Sequence, residues 1–196
     1  MFMFDIETLG TESTSLVLSA AITYFDFSDA IEDRSTENLV SEYNRYVMTS
    51  CFVKFDAIDQ RALGRVDTTG TKEWWIKQSE MAREMSLYAK PNDLSVSAGI
   101  AKINSYIRAH GGPNQIVWAR GSLDQMCWDS LCRSNGEEPL VKYNMWRDVR
   151  TAIDILASES KGGYALIPGF DPDLHVVKHI PQNDCALDIM ELLYHV

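Results

Sequence analysis

Apolar stretches separated by polar turns predict two strands at the start of the chain. Residues 1–9 and 15–27 are rich in β-branched and aromatic side chains, and the polar segment 10–14 predicts a turn between them. An acidic, polar segment at 28–37 suits an exposed loop, and apolar and polar positions then alternate over 41–49, which predicts a third strand. The three strands would form an antiparallel β-meander.

Helical spacing of apolar residues dominates the middle of the chain. Between 71 and 87 these residues recur every three or four positions, with Thr68 or Thr71 as the candidate N-cap. A second helix is predicted over 94–110 and stops at a glycine pair. The short apolar run at 116–119 predicts a buried strand that leads into another helix.

The last third of the chain predicts a further strand, two helices and an irregular loop between the helices. They are an edge strand at 143–146, a helix at 148–158, an irregular loop at 162–173 and a closing helix at 181–194 with proline at its first position. Strands followed by alternating helices and strands predict an α/β (α+β) fold, in which helices pack against a mixed sheet. This arrangement is compatible with a ribonuclease-H-like core.

Length and composition predict a single domain over residues 1–196. A chain of 196 residues with 45% apolar side chains can bury one sizeable core. The apolar stretch before Asp5 is four residues long and lacks the features of a secretory signal, so we expect none. We also expect no membrane span, because no segment approaches roughly 18 unbroken apolar residues.

Cysteine spacing and net charge limit the cellular compartments and the binding partners that the protein can have. Cys51, Cys127, Cys132 and Cys185 show no Cys-x-x-Cys spacing, so neither a zinc site nor a disulfide framework is indicated and we expect a reduced, cytoplasmic protein. The net charge of −10 argues against gripping long duplex DNA, since that mode needs many Lys and Arg contacts to phosphates. A nucleic-acid enzyme with this charge would act at a strand end, with metal ions supplying positive charge.

Asp5 and Glu7 are the first candidates for chemistry. On a strand, positions i and i+2 point to the same side, so both carboxylates would leave one face while Phe4 and Ile6 enter the core. Oxygen ligands suit Mg²⁺ or Mn²⁺, and a pair of such ions serves in-line attack on a phosphodiester. The competing interpretation, common for Asp-x-Glu taken alone, is a solvated acidic pair.

Three residues far from the N-terminus are candidates to join that pair. Pro181 disfavours helical geometry at the preceding residue and starts a helix, which leaves His179 in a loop and Asp184 one turn inside. Their side chains can then converge from different directions. Asp124, at the opening of the helix after the buried strand, either serves the helix dipole or reaches the same cation.

These acids lie in segments that resemble the three exonuclease motifs of the DEDDh branch of the DnaQ-like 3′-5′ exonucleases. The segments are Asp5-Ile-Glu7, Asp124 within 118–131, and His179-x4-Asp184, in that order. Residues 71–78 and 146–151 further resemble the phage exonuclease A and exonuclease VIII type subgroup. The resemblance covers essentially the whole chain, although Leu123 stands where the family usually has an aromatic residue.

The resemblance implies a ribonuclease-H-like fold and a two-metal-ion site. Two Mg²⁺ or Mn²⁺ ions would be held by Asp5, Glu7, Asp124 and Asp184. His179 would be the general base, a role that suits a histidine because its pKa lies near neutrality. His175 is the alternative base.

Substrate contacts are predicted beside the first motif. By resemblance to the family, Thr8 would bond the terminal nucleotide and Leu9 would wedge against its base, with core packing as the competing interpretation for Leu9. Helical neighbours diverge by about 100°, so Trp74 and Trp75 cannot both face inward. We predict that Trp75 stacks on a base, and burial of both tryptophans is the alternative.

Other charged residues have structural interpretations. Asp148 is predicted to cap a helix, with a supporting role behind the metal ions as the alternative. Arg147 and Arg150 would be either solvated or phosphate ligands. Asp188 and Glu191 are predicted to lie on a solvated helix face.

The leading function is a metal-dependent 3′-5′ exonuclease that releases 5′-mononucleotides from single-stranded 3′ ends. The phage-type resemblance favours DNA over RNA. Two alternatives stay open: a catalytically idle module that binds nucleic acid or protein, and a hydrolase of very short oligonucleotides.

Overall fold

A mixed five-stranded sheet forms the centre of the computed structural model, which describes residues 1–157 and 163–196. The strands are β1 (Phe2–Thr8), β2 (Val17–Tyr24), β3 (Cys51–Lys54), β4 (Val117–Ala119) and β5 (Trp146–Asp148). Their order is β3-β2-β1-β4-β5. β2 is antiparallel to β1 and β3, whereas β4 is parallel to β1 and β5, so the sheet is mixed as predicted.

Helices flank this sheet. They are α1 (Thr36–Thr49), α2 (Ala57–Ala62), α3 (Thr69–Ile76), α4 (Glu80–Ala82), α5 (Val96–Ala109), α6 (Leu123–Ser134), α7 (Val149–Leu156), α8 (Pro172–His175) and α9 (Pro181–His195). Turns of 3-10 helix lie at Phe27–Asp29 and Tyr143–Met145, and Arg83–Leu87 forms a π turn. The predicted α/β fold, consistent with a ribonuclease-H-like architecture, is confirmed.

Alternation along β1 separates two halves of the core. Phe4 and Ile6 are buried in one cluster with residues of α5 and α6. Met3 is buried on the opposite face, in a cluster with residues of α1, α7 and α9. Because side chains alternate along a strand, Asp5 and Glu7 share the face of Met3 and point towards α9. The fold thus brings acids near the N-terminus under the last helix.

The third predicted strand, at 41–49, is wrong. These residues belong to α1, which Ser35 caps and which buries Leu39, Tyr43 and Tyr46. Buried positions three and four apart are the period of a helix that packs on a core, and that packing overrides the local alternation. The strand that pairs with β2 is β3, so α1 interrupts the predicted meander.

The helix predicted over 71–87 is broken. Thr68 caps α3, as predicted, but α3 ends at Ile76 and a new N-cap, Ser79, starts α4. A serine that accepts a hydrogen bond from a nearby backbone N–H competes with continuation of a helix. The short helical segments that follow place Ser86 in the protein interior.

The remaining predicted elements are present with shifted bounds. The strand predicted at 143–146 is displaced to β5. The loop predicted at 162–173 overlaps the start of α8, which begins at Pro172 and ends at His175. Asp148 is the N-cap of α7 and Pro181 is the first residue of α9, both as predicted. The predicted end of α7 at Ser158 and the beginning of the loop lie outside the described residues. No helix in the described ranges is long and apolar enough to cross a bilayer.

Candidate active site

A cavity of about 550 Å³ lies where the carboxyl ends of β1 and β4 meet the start of α9. Neighbouring parallel strands leave a crevice at this edge, because the segments that follow them diverge. The cavity gathers all five predicted catalytic residues: Asp5, Glu7, Asp124, His179 and Asp184. Six further side chains with polar or aromatic groups also line it: Trp74, Arg120, Ser122, Arg150, Tyr164 and Asp188.

The two acids of β1 are half-buried at the floor of this cavity. They lie opposite small residues of β2, which leave room for their carboxylates. Asp5 Oδ2 is buried and has no hydrogen-bond partner in the described part of the chain. Burial, followed by the charges of Asp124 and Asp184, raises the pKa of Asp5 well above its usual value. Burial also raises the pKa of Glu7.

Asp124 and Asp184 enter the cavity from the first turns of α6 and α9. Both are buried, with 6% and 7% of their surfaces exposed. Asp184 Oδ2 accepts the backbone N–H of His179 at 2.8 Å, whereas its Oδ1 has no partner among the described residues. Burial and the charge of Glu7 raise the pKa of Asp184 to about 8. Burial and the same charge raise the pKa of Asp124.

The backbone of His179 has a left-handed conformation with φ of 64°. L residues rarely adopt this conformation, and it persists only where surrounding contacts enforce it. Asp184 accepts the N–H of His179, and Ser86 donates its hydroxyl to the carbonyl of His179 at 3.1 Å. Ser86 in turn accepts a hydrogen bond from Ser19 of β2 at 3.0 Å. These contacts tie the loop of His179 to the sheet.

The ring of His179 lies between Glu7 and Trp74. Its Nδ1 is 3.4 Å from Glu7 Oε1, and the Trp74 ring meets it edge-on with centroids 4.7 Å apart. Burial alone would lower the pKa of His179, but the hydrogen bond and charge of Glu7 outweigh burial and raise it. His175, the alternative base, is exposed and lies outside the cavity lining.

The acids of the cavity fit a divalent cation. Ligand atoms of Glu7, His179 and Asp184 lie within 4.8 Å of one another. Among the described residues, no lysine or arginine forms an ion pair with these acids, with Asp5 or with Asp124. Buried charges without compensation are costly, and hard divalent cations bind carboxylate oxygens. The unpartnered oxygens of Asp5 and Asp184 therefore suit an oxygen-coordinated ion.

Comparisons with known proteins identify the family. The profile of the family described as 3′-5′ exoribonuclease Rv2179c-like domain matches residues 1–168. The chain is also 31% identical to the exodeoxyribonuclease of enterobacteria phage T4 over 210 residues, which cover 98% of this chain and 87% of the phage protein. The chain belongs to the Rv2179c-like family of DnaQ-like 3′-5′ exonucleases. This confirms the predicted membership, and exonucleases of this kind are hydrolases that use divalent metal ions.

The exonuclease buries the three residues predicted to contact substrate. Thr8 donates its hydroxyl to the carbonyl of Gly10 at 2.6 Å, and Leu9 packs in a core cluster. Trp75 is 0% exposed, and its Nε1 donates to the Thr8 carbonyl at 2.9 Å. This burial favours core packing, the competing interpretation, and substrate contact by these residues stays a prediction. Trp74, 40% exposed, is the tryptophan that lines the cavity; helical spacing indicates that the two diverge but not which one faces out.

Sequence reasoning missed a buried ion-pair cluster beside the exonuclease site. Arg120 Nε donates to Asp188 Oδ1 at 2.8 Å, Arg120 Nη2 bonds Glu191, and the guanidinium lies 4.2 Å above the Tyr164 ring. Asp188 and Glu191 are 3% and 0% exposed, so the predicted solvated helix face is wrong. One signal was present: Asp188 follows Asp184 by four residues, which places both on one face of α9.

Proposed function

We propose that the protein removes 5′-mononucleotides from single-stranded 3′ ends, with DNA preferred over RNA. The observation that carries this proposal is the cavity in which acids of β1, α6 and α9 meet one histidine. The similarity to a phage exodeoxyribonuclease over nearly the whole chain supports DNA, although the family description names exoribonucleases. Turnover of matched DNA and RNA strands decides between these two substrates.

Two divalent ions, Mg²⁺ or Mn²⁺, would be held by Asp5, Glu7, Asp124 and Asp184. Bound ions would supply Lewis-acid activation of water and charge stabilisation on the phosphodiester. Asp5 would be the central ligand of this set. The charges of Asp124, Asp184 and Glu7 all act on it, which supports a central position.

His179 would take the proton from the attacking water. Asp184 and Ser86 hold its backbone, and Trp74 packs against its ring, so the imidazole is positioned in the cavity. The nearby Glu7 carboxylate stabilises the protonated ring after transfer. This is the behaviour that a general base requires.

We further propose that residues 1–196 form one exonuclease domain that works in the cytoplasm. The family profile covers 1–168, and α9 beyond it supplies Asp184 to the same cavity, which supports a single unit. The four cysteines are buried and carry free thiols, which agrees with a reducing compartment.

Oligonucleotides labelled at one end test the proposed activity. In Mg²⁺ or Mn²⁺, a 5′-labelled strand should shorten stepwise, whereas a 3′-labelled strand should release its label as a mononucleotide in the first cleavage. Matched DNA and RNA strands measure the preference for sugar. Intact strands would favour an idle binding module, and activity confined to dinucleotides would favour a hydrolase of short oligonucleotides. Either result would contradict the proposal.

Replacing His179 separates a base from a metal ligand. His179→Gln should depress turnover while leaving Mn²⁺ affinity nearly unchanged, because the four carboxylates remain. The short distances among Glu7, His179 and Asp184 favour one specific alternative, in which the imidazole binds the ion. A large loss of Mn²⁺ affinity in calorimetry would support that alternative and contradict the base assignment.

A further inference from the structure

A second cavity, of about 440 Å³, adjoins the catalytic one. The two cavities share Gly121, Ser122 and Arg150 along their common edge. The second cavity extends past the end of β5 and is lined there by Gln125, Trp146, Arg147 and Asp148. A strand whose 3′ end occupies the catalytic cavity can therefore continue into the second one.

Arg147 and Arg150, which line the second cavity, differ from Arg120, which lines the catalytic cavity alone. Arg120 is bonded to Asp188 and Glu191. Among the described residues, Arg147 donates to neutral acceptors, the carbonyls of Asn144 and Trp146 at 2.9 and 2.8 Å. Within the described ranges, neither Arg147 nor Arg150 lies within ion-pair distance of a carboxylate. Neither arginine is committed to an ion pair there, although the charge of Arg150 also acts on Asp188.

Gly121 allows Arg150 to lie across the edge shared by the cavities. The φ angle of Gly121 is 99°, and a Cβ on Gly121 would lie 3.3 Å from Arg150 Nη1. The N–H of Gly121 donates to Asp148 Oδ1 at 3.0 Å. Asp148 also accepts the Arg150 N–H and the Thr151 hydroxyl, at 3.2 and 2.7 Å. Asp148, the acid in the described lining of the second cavity, is thus engaged by donors of the segment after β4 and of the first turn of α7.

We propose that this second cavity binds the sugar-phosphate backbone of a single strand on the 5′ side of the scissile phosphate, through Arg147 and Arg150. The inference rests on the proposed exonuclease function. A guanidinium presents paired donors that match a phosphate, and it stays charged at all relevant pH values. On a chain with net charge −10, a polyanion leaving the catalytic cavity is attracted to the side that carries unpaired arginines. The cavity therefore favours longer strands over dinucleotides.

Equilibrium binding tests the cavity without relying on turnover. The probe is a 5′-fluorescein single-stranded oligothymidylate, followed by fluorescence anisotropy in Ca²⁺ from about 50 to about 200 mM salt. Arg147→Gln should weaken binding about tenfold, the effect of one lost charged hydrogen bond. It should also flatten the dependence of log Kd on log salt by about 0.7, and the double variant with Arg150→Gln by about 1.4. Arg108→Gln, an exposed charge-matched control on α5, should change neither quantity.

Turnover of a small substrate separates this cavity from the catalytic one. Thymidine 5′-p-nitrophenyl phosphate has one phosphodiester and no nucleotide on its 5′ side, so it carries no second phosphate for Arg147. Arg147→Gln should therefore keep kcat/KM on this substrate within about twofold, while KM for the oligothymidylate rises about tenfold. Melting temperatures of the variants check that each remains folded.

The two readouts distinguish failure of this inference from failure of the proposed function. If Arg147→Gln binds the oligothymidylate as tightly as the wild type does, the cavity is not a backbone site. The same conclusion follows if Arg108→Gln weakens oligothymidylate binding as much as Arg147→Gln does. If the wild type hydrolyses neither substrate, the proposed function fails, and anisotropy alone still decides whether the arginines bind the strand.

Discussion

Among the described residues, the acids of α9 fall into two groups within two turns, and one of these groups is ion-paired with a protein cation. Asp188 and Glu191 are bonded to Arg120, although Glu191 Oε1 has no hydrogen-bond partner in the described structure. Asp184 instead shares its cavity with Asp5, and neither acid is ion-paired with a lysine or arginine of the described structure. Because Arg120 compensates the charge of Asp188 and Glu191, this first group stabilises the fold. The absence of such compensation makes the second group a site for an external cation, because buried charge needs a counterion.

The largest expected effect is the loss of activity in Asp5→Asn. This change removes a ligand from the uncompensated group and should lower kcat about a thousandfold or more, since metal ions contribute several kcal/mol to such reactions. The metal-free variant should be at least as stable as the wild type, because one repelling carboxylate is gone. Melting in EDTA and oligonucleotide turnover in Mg²⁺ measure both effects. Wild-type turnover would remove Asp5 from the metal site.

The compensated group should respond to Arg120→Met in the opposite way. The change leaves two buried acids without their cation and should lower the free energy of unfolding by about 3–5 kcal/mol. Urea denaturation in EDTA provides the measurement. Arg108→Met, at an exposed position, is the matched control and should stay within about 0.5 kcal/mol of the wild type. Equal stability of the two variants would show that the ion pairs do not support the fold.

A smaller effect is expected at Ser86, which positions His179 without lining the cavity. Ser86→Ala removes the hydroxyl that donates to the His179 carbonyl, so the strained loop should relax and kcat should fall about tenfold. KM should stay within about twofold, because no contact with substrate is lost. Ser19→Ala keeps the bond between Ser86 and His179 and should have a weaker effect. A rise in KM with unchanged kcat would contradict a positioning role.

The most gradual expected effect is a change in pH dependence at Glu191. Burial, opposed by Arg120, raises the pKa of this carboxyl to about 8 from an ordinary 4.5. Its contribution to stability is therefore full below about pH 4.5 and is lost as the pH rises through about 8. Glu191→Gln cannot titrate, so the stability of the variant relative to the wild type should increase by roughly 1.4 kcal/mol for each pH unit between about pH 5 and 8, and then level off. A constant difference across that range would show that Glu191 does not titrate there.

Short-range patterns in the sequence predicted much of the site. The period of two along β1 places Asp5 and Glu7 on one face, and Pro181 sets the start of the helix that carries Asp184. These rules concern neighbours in the chain, so they can be read without the fold. The convergence of the acids on Asp124 followed from resemblance to a family rather than from periodicity.

The features that were missed depend on contacts between distant residues. Arg120 reaches acids 68 and 71 positions away, which no local pattern encodes. Trp74 and Trp75 are equivalent in sequence, and only the packing of α3 on the core decides which is buried. The segment 41–49 alternates like a strand, but its burial against α9 has a helical period.

Calorimetric titration with Mn²⁺ tests the difference between the two groups of acids most directly. The wild type and Glu191→Gln should each bind two ions per chain, because the compensated group contributes no ligand. Asp5→Asn should lose high-affinity binding, since the change removes a carboxylate on which the other acids converge. The account would be contradicted if the wild type bound no Mn²⁺, or if Asp5→Asn bound it as tightly as Glu191→Gln.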